Sequence, residues 1–219
     1  MSLRVSLVAV LLSLPPAYAF AWLLARRRFP GRLLLDAAIH LPLVVPPVVT
    51  GWLLLLLFGR AGPVGGWLEA QFGITLVFRW TGAALAAAVM ALPLMVRAMR
   101  LSIEAVDRRL VEAARVLGAS PWQAFLKITL PLSAPGIAAG AMLGFARSLG
   151  EFGATITFAS NIAGETRTLP LAIYSGLQLP GAEAQVARLA VISIVLSIAA
   201  LLASELLVRR SAGSRAHVL

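Results

Sequence analysis

Cysteine is absent from the 219 residues, which excludes disulfide staples and thiolate metal sites. Histidine is nearly absent: His40 and His217 stand far apart in sequence, and neither a carboxylate partner nor a bound metal is expected for either. Charge is scarce at 13% of residues, and acidic side chains number only 9. No paired acids, His–Glu cluster or serine with an adjacent base lies within the apolar runs, so a membrane-embedded enzyme, the alternative of a different class, lacks its chemistry. The phosphate-cradling pattern Gly-x-x-x-x-Gly-Lys-Ser/Thr is missing too, so the chain is not expected to be an ATPase of that kind, and no cofactor is expected in it.

Apolar residues fill the space left by these absences. They make up 60% of the chain, and the mean hydropathy is +0.90. A soluble domain of this length keeps too large a polar exterior to match that composition. The apolar runs are continuous rather than alternating, which predicts an all-α membrane protein and not a barrel. At roughly 20 residues per crossing, five spans are expected over about 3–25, 39–58, 81–99, 133–155 and 188–208 of a single transmembrane domain, residues 1–219. The first is read as a retained span. Ala17-Tyr18-Ala19 imitates a cleavage site, but the apolar run continues past it to the basic cluster Arg26-Arg27-Arg28.

The net charge of +10 invites a nucleic-acid reading, yet the cations sit between apolar segments and form no basic stripe interleaved with aromatics. Nucleic acid is therefore not an expected partner; the lipid bilayer is. With the N-terminus periplasmic and the C-terminus cytoplasmic, thirteen of the 19 Lys and Arg residues fall on the inside. These include Arg26 to Arg28, Arg32, Arg97, Arg100, Arg108, Arg109, Arg115, Lys127, Arg209, Arg210 and Arg215. The inverted topology would reverse that bias, so the segment 100–132 is placed in the cytoplasm. On the fourth span, Gly140 and Gly144 form a small-residue face, suited either to ordinary helix packing or to a tight subunit or pore interface.

Residues 104–117 carry apolar side chains at helical spacing (Val106, Leu110, Ala113, Ala114, Leu117), with Glu104 and Arg108 four apart. Gly118 stands where a helix ends in positive φ. Ser120-Pro121-Trp122-Gln123 then reads as a helix start of the capping-box type, with Pro131 interrupting the second helix near Leu130. Patterning leaves two roles open for this helix–glycine–helix unit: docking into a partner groove or lying on lipid headgroups.

Glu112-Ala113-Ala114, three residues, Gly118, nine residues, Ile128, then Leu130-Pro131 resembles the EAA motif of permeases of ABC importers. The resemblance implies a type I, five-span permease core with a cytoplasmic coupling helix, in which Glu112, Ala113, Ala114, Gly118, Ile128, Leu130 and Pro131 dock onto a cytoplasmic ABC ATPase that binds the ATP. His40 to Val49, Pro93 to Ala98, Phe145 to Thr155 and Ser160 to Thr168 are similar, more narrowly, to molybdate permeases, over about residues 11–207. Some members carry an additional N-terminal span that this chain begins too late to hold. Molybdate, with tungstate as a co-substrate, is the implied cargo, and sulfate or thiosulfate is the alternative. A periplasmic molybdate-binding protein and a second copy of the permease, in the bacterial cell inner membrane, complete the implied assembly. An oxyanion path needs donors without a trapping cation. Thr50, Ser148, Thr155 and Thr157 are candidate donors, although each hydroxyl can instead bond its own helix backbone. Glu151 is a path candidate as an intramembrane ionisable residue, and with Arg147 four residues away it also reads as a self-neutralising structural pair.

Overall fold

Small side chains decide where the helices of this protein meet. The computed structural model describes the backbone of residues 1–213 and the side chains of residues 1–202, which form helices and loops without a strand. The first helix, α1 (Ser2–Arg26), packs along α5 (Trp80–Glu104), which also lies against α8 (Leu130–Leu149). The middle of α5 is alanine-rich, and Ala83, Ala84, Ala86, Ala87, Ala88 and Ala91 are all buried. Where no bulky side chain intervenes, backbones approach closely and dispersion replaces the missing hydrophobic driving force in lipid.

The glycine face of α8 turns out to serve that same packing. A Cβ on Gly140 would lie 3.1 Å from Met95 O, and one on Gly144 would lie 2.6 Å from Met95 Sδ. Gly140 and Gly144 thus settle α8 onto α5 within the chain.

The segment expected to cross at 39–58 is not one straight helix. It comprises α2 (Arg32–Val44) and α3 (Pro47–Phe58), bent by 117° at the break. Pro46-Pro47 is the cause: proline disfavours the helical region in the residue before it, and Val45 and Pro46 are extended at ψ 138° and 134°. Pro47 then starts α3 at the first helical position. Four described helices are long and apolar enough to cross a membrane, or five if the bent pair counts as one span.

Three further boundaries differ from expectation. The third long helix continues past residue 99 to Glu104. The fourth begins earlier, running without a break from Pro121 to Leu149, and stops at Gly150 rather than at 155. A separate short helix, α9 (Gly153–Ala159), follows. The short helices α4 (Pro63–Phe72) and α10 (Leu169–Leu177) lie in the connections between the longer ones, and α11 (Glu183–Gly213) packs against α8 and α10. The expected last crossing falls within α11. Arg215 and His217 lie outside the described residues.

Candidate functional site

The loop between α5 and α8 carries two short helices. The expected helix over 104–117 is shorter, α6 (Arg108–Val116), because the chain breaks at Ala105–Asp107. Asp107 caps it, accepting from Arg109 N at 2.9 Å. The break separates Glu104 from Arg108. Glu104 belongs to α5, where its Oε1 accepts from Arg100 Nε at 2.8 Å.

Gly118 terminates α6 as expected, at φ +91°. Its amide donates to Arg115 O at 3.1 Å, and Ala119 N donates to Ala114 O at 3.0 Å. Those are the two bonds of a Schellman ending. Ser120 and Gln123 complete the capping box: Gln123 N donates to Ser120 Oγ at 3.2 Å and Ser120 N to Gln123 Oε1 at 2.9 Å.

After α7 (Pro121–Ala124) the chain does not stop at Pro131. It passes through one π-helical turn, Phe125–Thr129, directly into α8. Proline has no amide for the usual i→i−4 bond and its ring crowds that carbonyl. A widened turn just upstream lets the helix continue. Ile128 and Leu130 are half-buried in this stretch, while Pro131 is exposed.

Within α6, Glu112 and Ala113 point outward and Ala114 is half-buried. Leu110, Val116 and Leu117 stand 49%, 88% and 87% exposed, so the loop presents an apolar surface beside Ala113. Glu112 lines a cavity between the loop and the end of α1, shared with Arg26, Arg27, Arg108 and Arg115. Arg26 has a role that sequence reading did not assign. Its Nη2 donates to Ile103 O at 2.8 Å and to Val106 O at 2.9 Å. It thereby adds a charged donor to Ile103 O, which already accepts from Val106 N at 3.2 Å, and to Val106 O, and so ties the end of α1 to the end of α5 and the start of the loop. The only sequence signal was a basic residue ending an apolar run, which topology alone already explains.

The second group of candidates lies where α3 meets α9. Thr50, Ser148, Glu151 and Thr155 are all buried, at 6%, 4%, 2% and 1% exposure. A Cβ on Gly51 would lie 2.7 Å from Thr157 Cβ and 2.8 Å from Ala154 O. The structure therefore brings the Thr50–Gly51 segment against Ala154 and Thr157, while Ser148 and Glu151 sit at the α8–α9 junction. Thr157 donates to Gly153 O at 2.8 Å, a bond to its own helix. Ser148 Oγ is buried with no hydrogen-bond partner. Glu151 Oε1 accepts from Ala154 N at 2.9 Å, and its Oε2 lies 2.6 Å from Arg147 Nη1. That carboxylate anchors the first turn of α9, which is the structural reading of the pair.

His40 has a carboxylate neighbour after all. Its Nδ1 lies 3.2 Å from Asp36 Oδ1 and 2.8 Å from Asp36 O, one helical turn away. Among the described residues no group of three or more His, Cys, Asp or Glu side chains could hold a metal ion.

A bundle with one broken span, a capped helix pair on a single loop and a short buried helix against α3 defines a polytopic membrane protein of the ABC permease fold. Solved structures share it: a bacterial ABC transporter that imports the acidic polysaccharide alginate (TM-score 0.72, 21% identity, 95% of this chain and 77% of that one), and the inward-facing MetNI methionine ABC transporter (TM-score 0.71, 18% identity, 96% and 92%). Residues 17–213 match the model of the binding-protein-dependent transport system inner membrane component, and the chain belongs to that family. It is 60% identical to the molybdenum transport system permease protein ModB of Escherichia coli K12, over 96% of this chain and 92% of that protein. The ModB protein of Haemophilus influenzae is 58% identical over the same shares. The sulfate transport system permease protein CysT of Escherichia coli K12 is 46% identical, over 72% of this chain and 57% of that protein.

Proposed function

We propose that this chain is the transmembrane permease of an ATP-driven importer that carries molybdate, with tungstate as a co-substrate, from periplasm to cytoplasm. The observation that carries the reading is identity of 60% to a molybdenum permease along 96% of the chain. The sulfate permeases are less alike and match a shorter stretch. The chain is a conduit and not an enzyme; a separate ATPase subunit hydrolyses ATP.

The α6–α7 unit is the ATPase-docking element. Glu112, Ala113, Ala114 and Gly118 form its contact surface, with Ile128, Leu130 and Pro131 at its root. An apolar patch of Leu110, Val116 and Leu117 on a capped, clamped loop suits insertion into a protein cleft, since capping fixes the shape before binding. A periplasmic binding protein delivers the anion, and a second copy of the permease completes the path. The N-terminus is periplasmic, supported by the cations gathered at the loop end of the long helices. Thr50 and Thr155 line the path at the α3–α9 seam and Ser148 lines it at the neighbouring α8–α9 junction, with Thr157 and Glu151 holding its geometry.

Reconstitution with ATPase and binding protein in vesicles tests the reading. Molybdate should stimulate ATP hydrolysis and accumulate inside. Stimulation by sulfate alone would transfer the assignment to the sulfate class, and indifference to every oxyanion would end it.

A further inference from the structure

An apolar slot of about 470 Å³ runs along the outside of α1 and is closed on its other side by the start of the α7 segment. Pro15, Tyr18, Ala19 and Trp22 supply the α1 wall, at the i, i+3, i+4, i+7 spacing of a single helix face. Ala19 is the small residue that leaves the slot open. Opposite stand Trp122 and Phe125, whose rings stack at 5.3 Å, and Trp22 meets Phe125 edge-on at 6.0 Å. Trp122 is 66% exposed.

The slot ends at Arg27, which also lines the adjoining cationic cavity with Arg26, Arg28, Arg32, Arg108 and Glu104. Five guanidinium groups face one carboxylate there, and Glu104 is already engaged by Arg100. Arg26 is engaged by backbone carbonyls. Arg27 lies over the Trp22 ring, 5.6 Å from its centroid, and forms no ion pair with any described residue. From Arg27 to Pro15 is twelve residues, or ~18 Å of helix. One leaflet of hydrocarbon is about 15 Å, half of the ~30 Å core. Exposed Leu11 and Leu12 continue the apolar surface beyond Pro15.

We infer that this slot is a binding site for one anionic phospholipid, its acyl chain lying between α1 and the Trp122–Phe125 wall and its phosphate on Arg27. Length, apolarity and charge all fit that molecule: a chain-deep groove that opens into an excess of positive charge at headgroup level, where Arg26, Arg27, Arg28, Arg32, Arg108 and Arg115 outnumber Glu104 and Glu112. Tryptophan and tyrosine rings at that depth hold lipid at the interface. Because the groove's second wall directly follows the Gly118 turn, the lipid braces the loop as well as the span.

Bromine-labelled lipids test the site through the slot's own tryptophans. Trp52, Trp67 and Trp80 are replaced by phenylalanine, leaving Trp22 and Trp122, and the full chain is reconstituted with chain-brominated phosphatidylglycerol or phosphatidylcholine. Half-maximal quenching should need about five-fold less phosphatidylglycerol, the factor expected of one Arg near anionic lipid. Arg27→Gln should abolish the preference and Arg27→Lys should keep it. Equal quenching by both lipids in the parent protein would mean ordinary lipid contact and overturn the site. Absence of quenching by either would mean that protein, such as a second permease copy, covers the slot, and would overturn it equally.

Discussion

A Cβ placed on Gly51 would lie 2.7 Å from the Cβ of Thr157, so α3 and α9 touch with no side chain between them. An alanine at 51 would also meet Ala154 O at 2.8 Å, a backbone atom that cannot swing aside. Gly51→Ala should destabilise the protein by about 1–3 kcal/mol, the range for overpacking a tight contact. Gly150→Ala is the control, because nothing lies within 4 Å of its Cβ position and its φ is −89°. Thermal unfolding in detergent should separate the two. Equal midpoints would mean that the α3–α9 seam is looser than drawn.

Gly118 presents the opposite case. Its Cβ position is empty to 4 Å, so only the backbone, at φ +91°, demands glycine. Gly118→Val should strain the turn by about 1–2 kcal/mol, whereas Gly118→Asn should be milder because asparagine tolerates the left-handed region. Membrane insertion should be unchanged in both. Co-purification of the ATPase should fall sharply for valine and only partly for asparagine. Full ATPase retention by the valine variant would count against a docking role for the turn.

Arg26 joins α1 to the docking loop through two carbonyls at 2.8 and 2.9 Å. Arg26→Gln should release that joint and cost about 2 kcal/mol, the scale of a hydrogen bond from a charged donor. The loop would remain folded, since Asp107, Gly118 and Ser120 cap it locally. We expect ATP hydrolysis to persist while uptake per ATP declines, measured in the same vesicles. Unchanged coupling would reduce Arg26 to a topology signal.

Glu151 is 2% exposed and bridges Arg147 to the first turn of α9. Glu151→Ala should destabilise by about 1–3 kcal/mol, the range for leaving the buried Ala154 amide without its acceptor, with the partly exposed Arg147 losing its partner as well. Arg147→Ala on that background should recover part of the loss, because the stranded cation is then gone. A double variant less stable than the single one would show that Arg147 has other partners to satisfy.

The local signals in this sequence were the most legible. Gly118 and the Ser120–Gln123 box act within a few residues, so their chemistry specifies their geometry wherever the loop sits. The long helices were legible because lipid forces apolar continuity. Less was visible where two distant segments decide the outcome. Pro46-Pro47 lies inside the span expected over 39–58, yet it turns the chain by 117° and makes α3 a separate short helix. Gly140 and Gly144 advertise a close contact without naming the partner, which proved to be Met95 on α5. Glu104 and Arg108 share helical spacing but not a helix, because the chain breaks between them.

Ser160 closes α9 at φ +64° and ψ −165°, a region that only glycine enters without strain. The turn holds this shape through Thr166, fully buried, whose Oγ1 donates to Ser160 O at 3.1 Å and accepts from Ile162 N at 2.8 Å. Such a conformation costs about 1–3 kcal/mol, while adding a glycine loosens the unfolded chain by about 0.4–1 kcal/mol. The two terms leave Ser160→Gly net stabilising, so its unfolding midpoint should rise. Thr166→Val should lower the midpoint, since Ile162 N would be left without an acceptor and Ser160 O without a donor. The signs are opposite although the residues share one turn, because the first substitution relaxes the strained backbone and the second removes what holds it. If Ser160→Gly also lowered the midpoint, the serine side chain would matter more than the backbone, and α9 would end without stored strain.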